Sequence, residues 1–366
     1  MSGPVWSQEA DEQSGSVFHL LKGEEFIGLD LSPDGEVVIL TSGSYERGRA
    51  SFATADTLEV FDTIELPSRL RLADPRYNAQ GTKILFAGNC PEAAPECAPE
   101  QQGWHIFSYD IATRDLAQLT DPLPGFGRRR PAWGPDGTVY FVGFRDFDGR
   151  SVRGVSSAIF EINPQGTAKP TFPRDSYKPR SNAIHPSIGR FVDFEIHIVD
   201  FDGITFSARY VGDPSRPKEP PEGDERVTEF ANTRIYDRLG IDLDWPETHM
   251  TIFRLTPNEL HILVDPERMT GEVPSDEHLH NVTDDGQTLW AVRNNILKEY
   301  WYKLAKIEGN HADLVDVVVE PLKRQAITDF EVSGSRAIVV HSPASGERIL
   351  YSVDDWENFE EFDLTP

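Results

Sequence analysis

One unit recurs along this chain, and it constrains the fold more than any single motif does. In its clearest copy a strand ends at Trp133, the chain turns at residues 134–137 (Gly-Pro-Asp-Gly), and a second strand follows over residues 139–144. β-Branched and aromatic residues after such a turn are typical of a β-strand. Recurrence of the unit predicts a repeat architecture built from small antiparallel sheets.

Five further copies keep the pattern of a strand end, a tight polar turn and an apolar strand. They lie at Leu31 to Leu40, Tyr77 to Phe86, Ile184 to Ile198, Val282 to Val292 and Val332 to Val340. The turn glycines of five copies stand at positions 35, 81, 137, 189 and 286, so neighbouring units are 46, 56, 52 and 97 residues apart. A propeller blade of four strands takes about 40–50 residues. The chain is therefore predicted to be all-β, a six-bladed β-propeller, with seven blades as the alternative if the long interval hides its own unit.

The long fourth interval contains a segment unlike the strand units. Residues 212–223 are rich in proline and charge, which is typical of a surface loop. In residues 225–239, Val227, Phe230, Ile235 and Leu239 recur roughly on one helical face, which predicts a short helix. We expect a loop-helix insertion at about residues 212–250, inside the fourth blade.

The amino-acid sequence of the repeat resembles that of a known family. Leu-Thr, a loop, Pro-x-Trp and then x-Pro-Asp-Gly before an apolar strand resembles the PD40 repeat of TolB-like propellers, which are WD40-like. Residues 119–144 match almost throughout, and Ser32 to Gly35 match at the turn. The same repeat occurs in the propellers of prolyl-oligopeptidase-like peptidases. The resemblance covers roughly residues 16 to 366 and implies the fold more firmly than a function, because propellers host many unrelated roles.

The resemblance leaves two functional classes open. The peptidases need a separate hydrolase domain with a Gly-x-Ser-x-Gly nucleophile elbow, and this sequence has no such elbow. The first hypothesis is therefore a propeller that binds a ligand or protein and has no attached catalytic domain. The alternative is a propeller lyase or hydrolase that acts on an anionic, saccharide-like substrate at the channel mouth. No cofactor is required by the sequence.

Basic residues recur in the loops that enter the first strand of three successive units. In propellers these loops gather at one mouth of the channel, so their side chains are expected to face the same ligand. Arginine binds carboxylate or phosphate with two parallel hydrogen bonds. The predicted partner is a protein, peptide or small anionic ligand, and the predicted ligand-binding residues are Arg69, Arg71, Arg128, Arg129, Arg130, Lys178 and Arg180. Arg76 of the second unit belongs to the same group of basic residues. The other interpretation is that this whole group pairs with the 61 Asp and Glu of the chain.

A His-x-His pair lies in the corresponding loop of the fifth unit. Alternation along a strand puts His278 and His280 on the same side, next to Asp276 and Glu277. Two histidines near a carboxylate could hold a metal or act as acid and base. Histidines that are exposed to solvent or that cap the core would give the same pattern, and Glu195 with His197 forms a similar pair.

The net charge restricts the partners. A formal charge of −26 at pH 7 excludes general binding to nucleic acid or to anionic membrane, because both need a cationic surface. No apolar run is long enough to span a bilayer.

The N-terminus is polar and acidic. Residues 1–15 lack the charged-then-apolar pattern of a signal peptide and predict a flexible segment, followed by a single propeller domain over residues 16–366. Ser16 to Leu21 is a spare apolar strand that is expected to join the last blade and cover an edge. The compartment is the periplasm or the cell exterior if a signal peptide has been removed, and otherwise the cytoplasm.

Two cysteines, Cys90 and Cys97, lie in one proline-rich stretch. Their spacing fits neither a zinc site nor a Cys-x-x-Cys redox site. A disulfide between them and two free surface thiols are both compatible with the sequence, and we expect the disulfide, which would favour an oxidising compartment.

Overall fold

The structure is a computed structural model of the 366-residue chain. It describes residues 15–44, 47–66, 69–90, 103–120, 126–145, 157–162, 168–172, 183–185, 189–211, 248–256, 260–263, 277–284, 289–295, 301–308, 313–317, 326–333, 336–342, 348–352 and 359–364. The first fourteen residues, most of the predicted insertion (212–247) and Cys97 lie outside this set.

Every described element is a β-strand. The first twelve are β1 Glu25–Leu31, β2 Val37–Gly43, β3 Gly48–Thr54, β4 Val60–Ile64, β5 Arg71–Tyr77, β6 Lys83–Cys90, β7 Gly103–Asp110, β8 Asp115–Gln118, β9 Phe126–Trp133, β10 Val139–Arg145, β11 Ser157–Ile162 and β12 Ala168–Phe172. The others are β13 Ala183–His185, β14 Gly189–Asp200, β15 Gly203–Val211, β16 Thr248–Leu255, β17 Leu260–Ile262, β18 Glu277–Asp284, β19 Leu289–Asn295, β20 Trp301–Glu308, β21 Asp313–Val317, β22 Ala326–Ser333, β23 Arg336–Ser342, β24 Arg348–Ser352 and β25 Phe359–Asp363. Within these ranges there is no helix long and apolar enough to cross a membrane.

The described strands form five sheets in which neighbours along the chain pair with each other, except that β17 pairs only with β16 and β16 also pairs with β18. Four sheets have four strands in chain order, namely β1–β4, β5–β8, β9–β12 and β22–β25. A fifth sheet holds β13 to β21. Its two halves meet at a single parallel register pair, Met250 with His278. The all-β prediction is confirmed for the described part of the chain.

The chain divides into two compact units. Unit 1 holds residues 1–103, 107–117 and 328–366, and unit 2 holds residues 104–106 and 118–327.

In unit 1 the core lies on both faces of the first sheet. Val38 and Leu40 on β2 pack with Ile338 and Val340 of β23, whereas Ile39 between them packs in a second apolar cluster. That second cluster also contains Leu72, Phe86 and Phe107 of the β5–β8 sheet. Successive side chains of a strand point to opposite faces, so a strand that is apolar at every position is buried on both sides.

Unit 2 repeats this arrangement on β16. Phe253 packs with Ala132, Val142 and Phe206, and these contacts join the β9–β12 sheet to β15. The neighbouring residue Ile252 packs instead with Val282 and Ala291 of β18 and β19. Sheets therefore stack face to face within each unit, which explains the unbroken apolar runs of their central strands.

The recurring turn is held by its own side chains. Asp34 accepts hydrogen bonds from the Ser32 hydroxyl (2.5 Å) and from the Glu36 N–H (3.1 Å). These bonds, the hydroxyl bond above all, lower the pKa of Asp34. Asp136 accepts from the Thr138 N–H in the third unit in the same way. Gly35 and Gly137 have φ of +70° and +82°, a conformation that favours glycine.

The N-terminal segment lies between the outer strands of the first and last sheets of unit 1. Val17 makes one antiparallel bridge with Glu59. The Leu20 N–H donates to the Leu364 carbonyl oxygen (2.8 Å), and Phe18 and Leu364 are both fully buried. The backbone of the segment therefore bonds mainly to residues 58–60 beside the first sheet and makes one hydrogen bond at the last sheet, whereas the sequence predicts a strand that joins the last blade.

A substitution at Gly88 on β6 tests the packing of β6 against β7. A Cβ atom there would lie 2.4 Å from a ring carbon of Phe107. We expect Gly88→Ala to lower the free energy of unfolding by roughly 1–3 kcal/mol, since the core has no room for the methyl group. Urea denaturation measures it.

A second substitution checks the cause. In Gly88→Ala/Phe107→Leu the smaller side chain makes room for the methyl group, so the double variant should lose less stability than the two single changes predict together. Additive losses would show that the ring does not meet the new methyl group.

Candidate functional site

The first strand of each four-stranded sheet carries charged residues at matching positions. Counted back from the turn, Asp30, Arg76 and Glu331 occupy one position of β1, β5 and β22. Two residues earlier, Asp74, Arg130 and Asp329 occupy a second position of β5, β9 and β22. β5 and β22 carry a charged residue at both positions, whereas β1 and β9 carry one each.

On β5 and β9 a β-bulge sets the direction of the side chain at the second position. The register of β5 with β6 shifts between Ala73 and Arg76, and that of β9 with β10 shifts between Tyr140 and Val142. Asp74 and Arg130 have positive φ, 50° and 53°, and each precedes a proline. Bulges turn a side chain away from the regular pleat and are frequent near functional sites.

In unit 1 five of these residues form one largely buried group, which we call the Arg76 cluster: Asp30, Asp74, Arg76, Asp329 and Glu331. Arg76 Nη1 lies 2.6 Å from Glu331 Oε1 and 3.6 Å from Asp30 Oδ1. Two carboxylates also accept backbone N–H groups of neighbouring sheets. Asp30 Oδ2 accepts from Tyr77 (2.6 Å), and Asp329 Oδ2 accepts from Leu29 (3.1 Å).

The electrostatics of the Arg76 cluster are not those of a simple ion pair. Burial raises the pKa of Asp30 well above its ordinary value, and Glu331 and Asp329 raise it further, against the opposing effects of Arg76 and the Tyr77 N–H. Burial alone would lower the pKa of Arg76, but the four carboxylates around it raise it above its ordinary value. The cluster holds more carboxylates than cations, so the guanidinium stays charged while Asp30 resists ionisation. Metal-ligating arrangements of three or more His, Cys, Asp or Glu were not found among the described residues.

In unit 2 the three consecutive arginines of β9 have three different surroundings. Arg128 is buried and donates from Nη1 to the Trp104 carbonyl oxygen (3.4 Å). The Arg129 guanidinium lies over the Trp104 ring, 4.5 Å from its centroid. Arg130 forms an ion pair with Glu195 (Nη2–Oε1, 2.7 Å). Trp104 and Arg129 are both partly exposed.

His197 lies two residues after Glu195 on β14. Its Nδ1 accepts the Val282 N–H (3.2 Å), so its Nε2 carries the hydrogen and donates it to the Ser207 hydroxyl (2.9 Å). An imidazole that donates to a serine cannot take the proton of that serine, so this pair is not arranged as a nucleophile and base. His197 instead links β14, β15 and β18.

The remaining predicted residues are placed as follows. Arg69 has φ +65° and precedes β5, and Arg71 is the first residue of that strand. His278 and His280 lie on β18, paired with Asn294 and Val292 of β19, and their side chains are not among those described. Lys178 and Arg180 lie outside the described ranges, as does Cys97, while Cys90 ends β6. The anion site, the histidine role and the disulfide therefore stay predictions.

The sequence pattern pointed to the arginines but missed the buried acids. Arg76 does pair with acids of its own chain, Glu331 and Asp30, in line with the second interpretation of the basic residues. The available signal was the repeat itself, because Asp30, Arg76 and Glu331 stand at one repeat position.

Comparisons with known proteins bear on the fold. No protein-family model matches the chain, and no protein with a curated description matches it by sequence. Among solved structures, the β-propeller domain of the Trilobed protease from Pyrococcus furiosus is 12% identical with a TM-score of 0.51, covering 93% of this chain and 81% of that one. Puromycin hydrolase is 12% identical with a TM-score of 0.50, covering 96% and 48%. TolB from Acinetobacter baumannii is 14% identical with a TM-score of 0.49, covering 93% and 63%.

These likenesses establish the fold alone. The alignment spans less than two thirds of the TolB and puromycin hydrolase chains. Propellers host many unrelated roles, so the likeness does not choose between a binding and an enzymatic role. The likeness to the propeller domain of the Trilobed protease confirms the predicted β-propeller fold.

The ion pair between Arg130 and Glu195 can be tested by a double-mutant cycle. Both side chains are partly buried, with 33% and 17% of their surface exposed. We expect Arg130→Ala and Glu195→Gln each to lower stability, and the double variant to lose less than the sum, with a coupling of roughly 0.5–2 kcal/mol. Urea denaturation of the four proteins gives the coupling energy, and a value near zero would show that solvent already separates the pair.

Proposed function

We propose that this chain is a binding protein, a TolB-like propeller that holds an anionic ligand or an acidic segment of a protein or peptide. We propose a single domain over residues 16–366 that has six blades. The fourth is β14–β17 and the fifth is β18–β21. β14 fits the first strand of the fourth blade because it lies against both β9 and β18.

The observation that carries the proposal is the stacking of Arg129 on Trp104. The indole fixes the plane of the guanidinium, and both groups keep part of their surface open to solvent. Stacking involves the face of a guanidinium, whereas planar anions are recognised by its N–H edge. The neighbouring Arg128 fixes the backbone of Trp104 from below the surface, so the stacked pair is supported by a buried residue.

The chemistry of this pair favours a planar anion. Carboxylate and phosphate accept two parallel hydrogen bonds from one guanidinium. In a chain of net charge −26, a local cationic group attracts anions only at short range, because the surrounding field repels them. We therefore expect recognition by contact, with modest dependence on salt.

A ligand screen tests the function. Uronates, inorganic phosphate and acidic peptides are added at millimolar concentration, and the melting temperature and tryptophan fluorescence are recorded. At least one class should raise the melting temperature of the wild type. Arg129→Ala should weaken its binding about tenfold, a loss of ~1.4 kcal/mol. Arg129→Lys should fall between, because it keeps the charge but loses the fork and the stacking.

Arg47→Ala is the matched control. It removes the same charge from an exposed arginine whose contact with Glu24 is long, 3.7 Å. Binding should survive this change. Stabilisation by no anion, or equal loss in Arg47→Ala and Arg129→Ala, would contradict the proposal, the second result because it would indicate a general charge effect.

A further inference from the structure

The Arg76 cluster places four carboxylates around one guanidinium. Asp30, Asp74 and Glu331 are each 8% exposed, so water does little to separate their charges. The residues come from three strands of unit 1, namely β1, β5 and β22. If every group were ionised, the cluster would carry three uncompensated negative charges in a buried setting, which costs more than keeping a proton.

Glu331, Asp329 and Asp30 differ in the contacts that support an ionised carboxylate. Glu331 takes the short contact with Arg76, 2.6 Å, whereas Asp30 is 3.6 Å from the same nitrogen. Asp329 accepts N–H groups at both oxygens, from Leu29 and from Phe330. Asp30 has one N–H donor, that of Tyr77, and it faces the carboxylates of Glu331 and Asp329 on β22.

We propose that protonated Asp30 links the first strands of the first, second and last sheets, and that loss of its proton weakens this link. When protonated, it accepts the Tyr77 N–H of β5 and lies beside β22 without repelling it. When ionised, it is repelled by Glu331 and Asp329, and the packing of β1 against β22 weakens. Because β1 opens the first sheet and β22 opens the last, proton loss loosens the region that joins the two ends of the chain.

The direction of the pH dependence follows from linkage. A carboxyl whose pKa is higher in the folded than in the unfolded state binds its proton more tightly when folded. Its contribution is fully present below the unfolded value of about 4 and is lost as pH rises through the folded pKa. An ordinary ion pair with Arg76 would give the opposite trend, with stability lost as pH falls.

Asp30→Asn distinguishes the two cases. The amide keeps an oxygen that accepts from the Tyr77 N–H but cannot ionise, so it imitates the protonated form. The urea midpoints of wild type and Asp30→Asn are compared between about pH 4 and pH 8. The wild-type midpoint should fall relative to the variant as pH rises, so that the variant is the more stable protein at the alkaline end. A variant that is less stable at the alkaline end and recovers towards acid, or a difference independent of pH, would overturn the proposal.

Glu331→Gln provides a second test if Asp30→Asn does not fold. It removes a charge that repels ionised Asp30 and frees Arg76 to approach Asp30. The midpoint of the wild-type pH transition should therefore move to lower pH in Glu331→Gln. A transition that stays in place would show that Asp30 is not its source.

Asp136→Asn is the control for the direction in which stability changes with pH. The pKa of Asp136 is lowered by the Thr138 N–H and hydroxyl, in an exposed turn of unit 2. Its contribution to stability is present above the unfolded pKa and lost as pH falls, so wild type and Asp136→Asn should converge towards acid. Opposite trends for the two Asp→Asn variants confirm that the measurement resolves the site.

Discussion

Unit 1 depends on buried carboxylates that accept backbone N–H groups of the adjacent sheet. Asp329 on β22 accepts from Leu29 on β1, and Asp30 on β1 accepts from Tyr77 on β5. The first strands β1, β5 and β22 belong to three different sheets and form no hydrogen-bonded ladder with one another, so an N–H that faces the adjacent sheet needs another acceptor. A side-chain oxygen satisfies such groups, because a buried N–H without an acceptor costs free energy. His197 serves the Val282 N–H in unit 2 in the same way.

This solution has an electrostatic consequence. Acceptors drawn from Asp and Glu bring negative charge into the interior, and the Arg76 cluster holds one arginine against four carboxylates. A serine or asparagine could accept the same N–H without a charge. With acids in these places, part of the packing free energy becomes sensitive to proton binding, so the same contacts hold the sheets together with a strength that changes with pH.

The fold was predictable because its signals are local. Asp34 and Asp136 hold their turns within three residues, and alternation along β2 and β16 determines which side chains are buried. The Arg76 cluster was not predictable in this way. Arg76 and Glu331 are 255 positions apart, and only the stacking of sheets brings them together. The triplet Arg128 to Arg130 looked like one cationic patch in the sequence. On a bulged strand its members point in different directions, so one is buried, one stacks on an indole and one pairs with Glu195.

Asp74 and Arg130 show how one backbone supports different chemistry in different repeats. They occupy the same bulge position, with nearly equal φ and a proline after each. The backbone therefore does not select the sign of the charge there. The partner does: Arg130 meets Glu195, while Asp74 lies close enough to Arg76 to raise its pKa. In a repeat protein of this kind a change of sign at one position can be accommodated by a change on a neighbouring strand, without a new backbone. Ligand preference should then follow from pairs of side chains on adjacent strands, which explains why the basic residues of single loops identify a site only when the strands beside them are known.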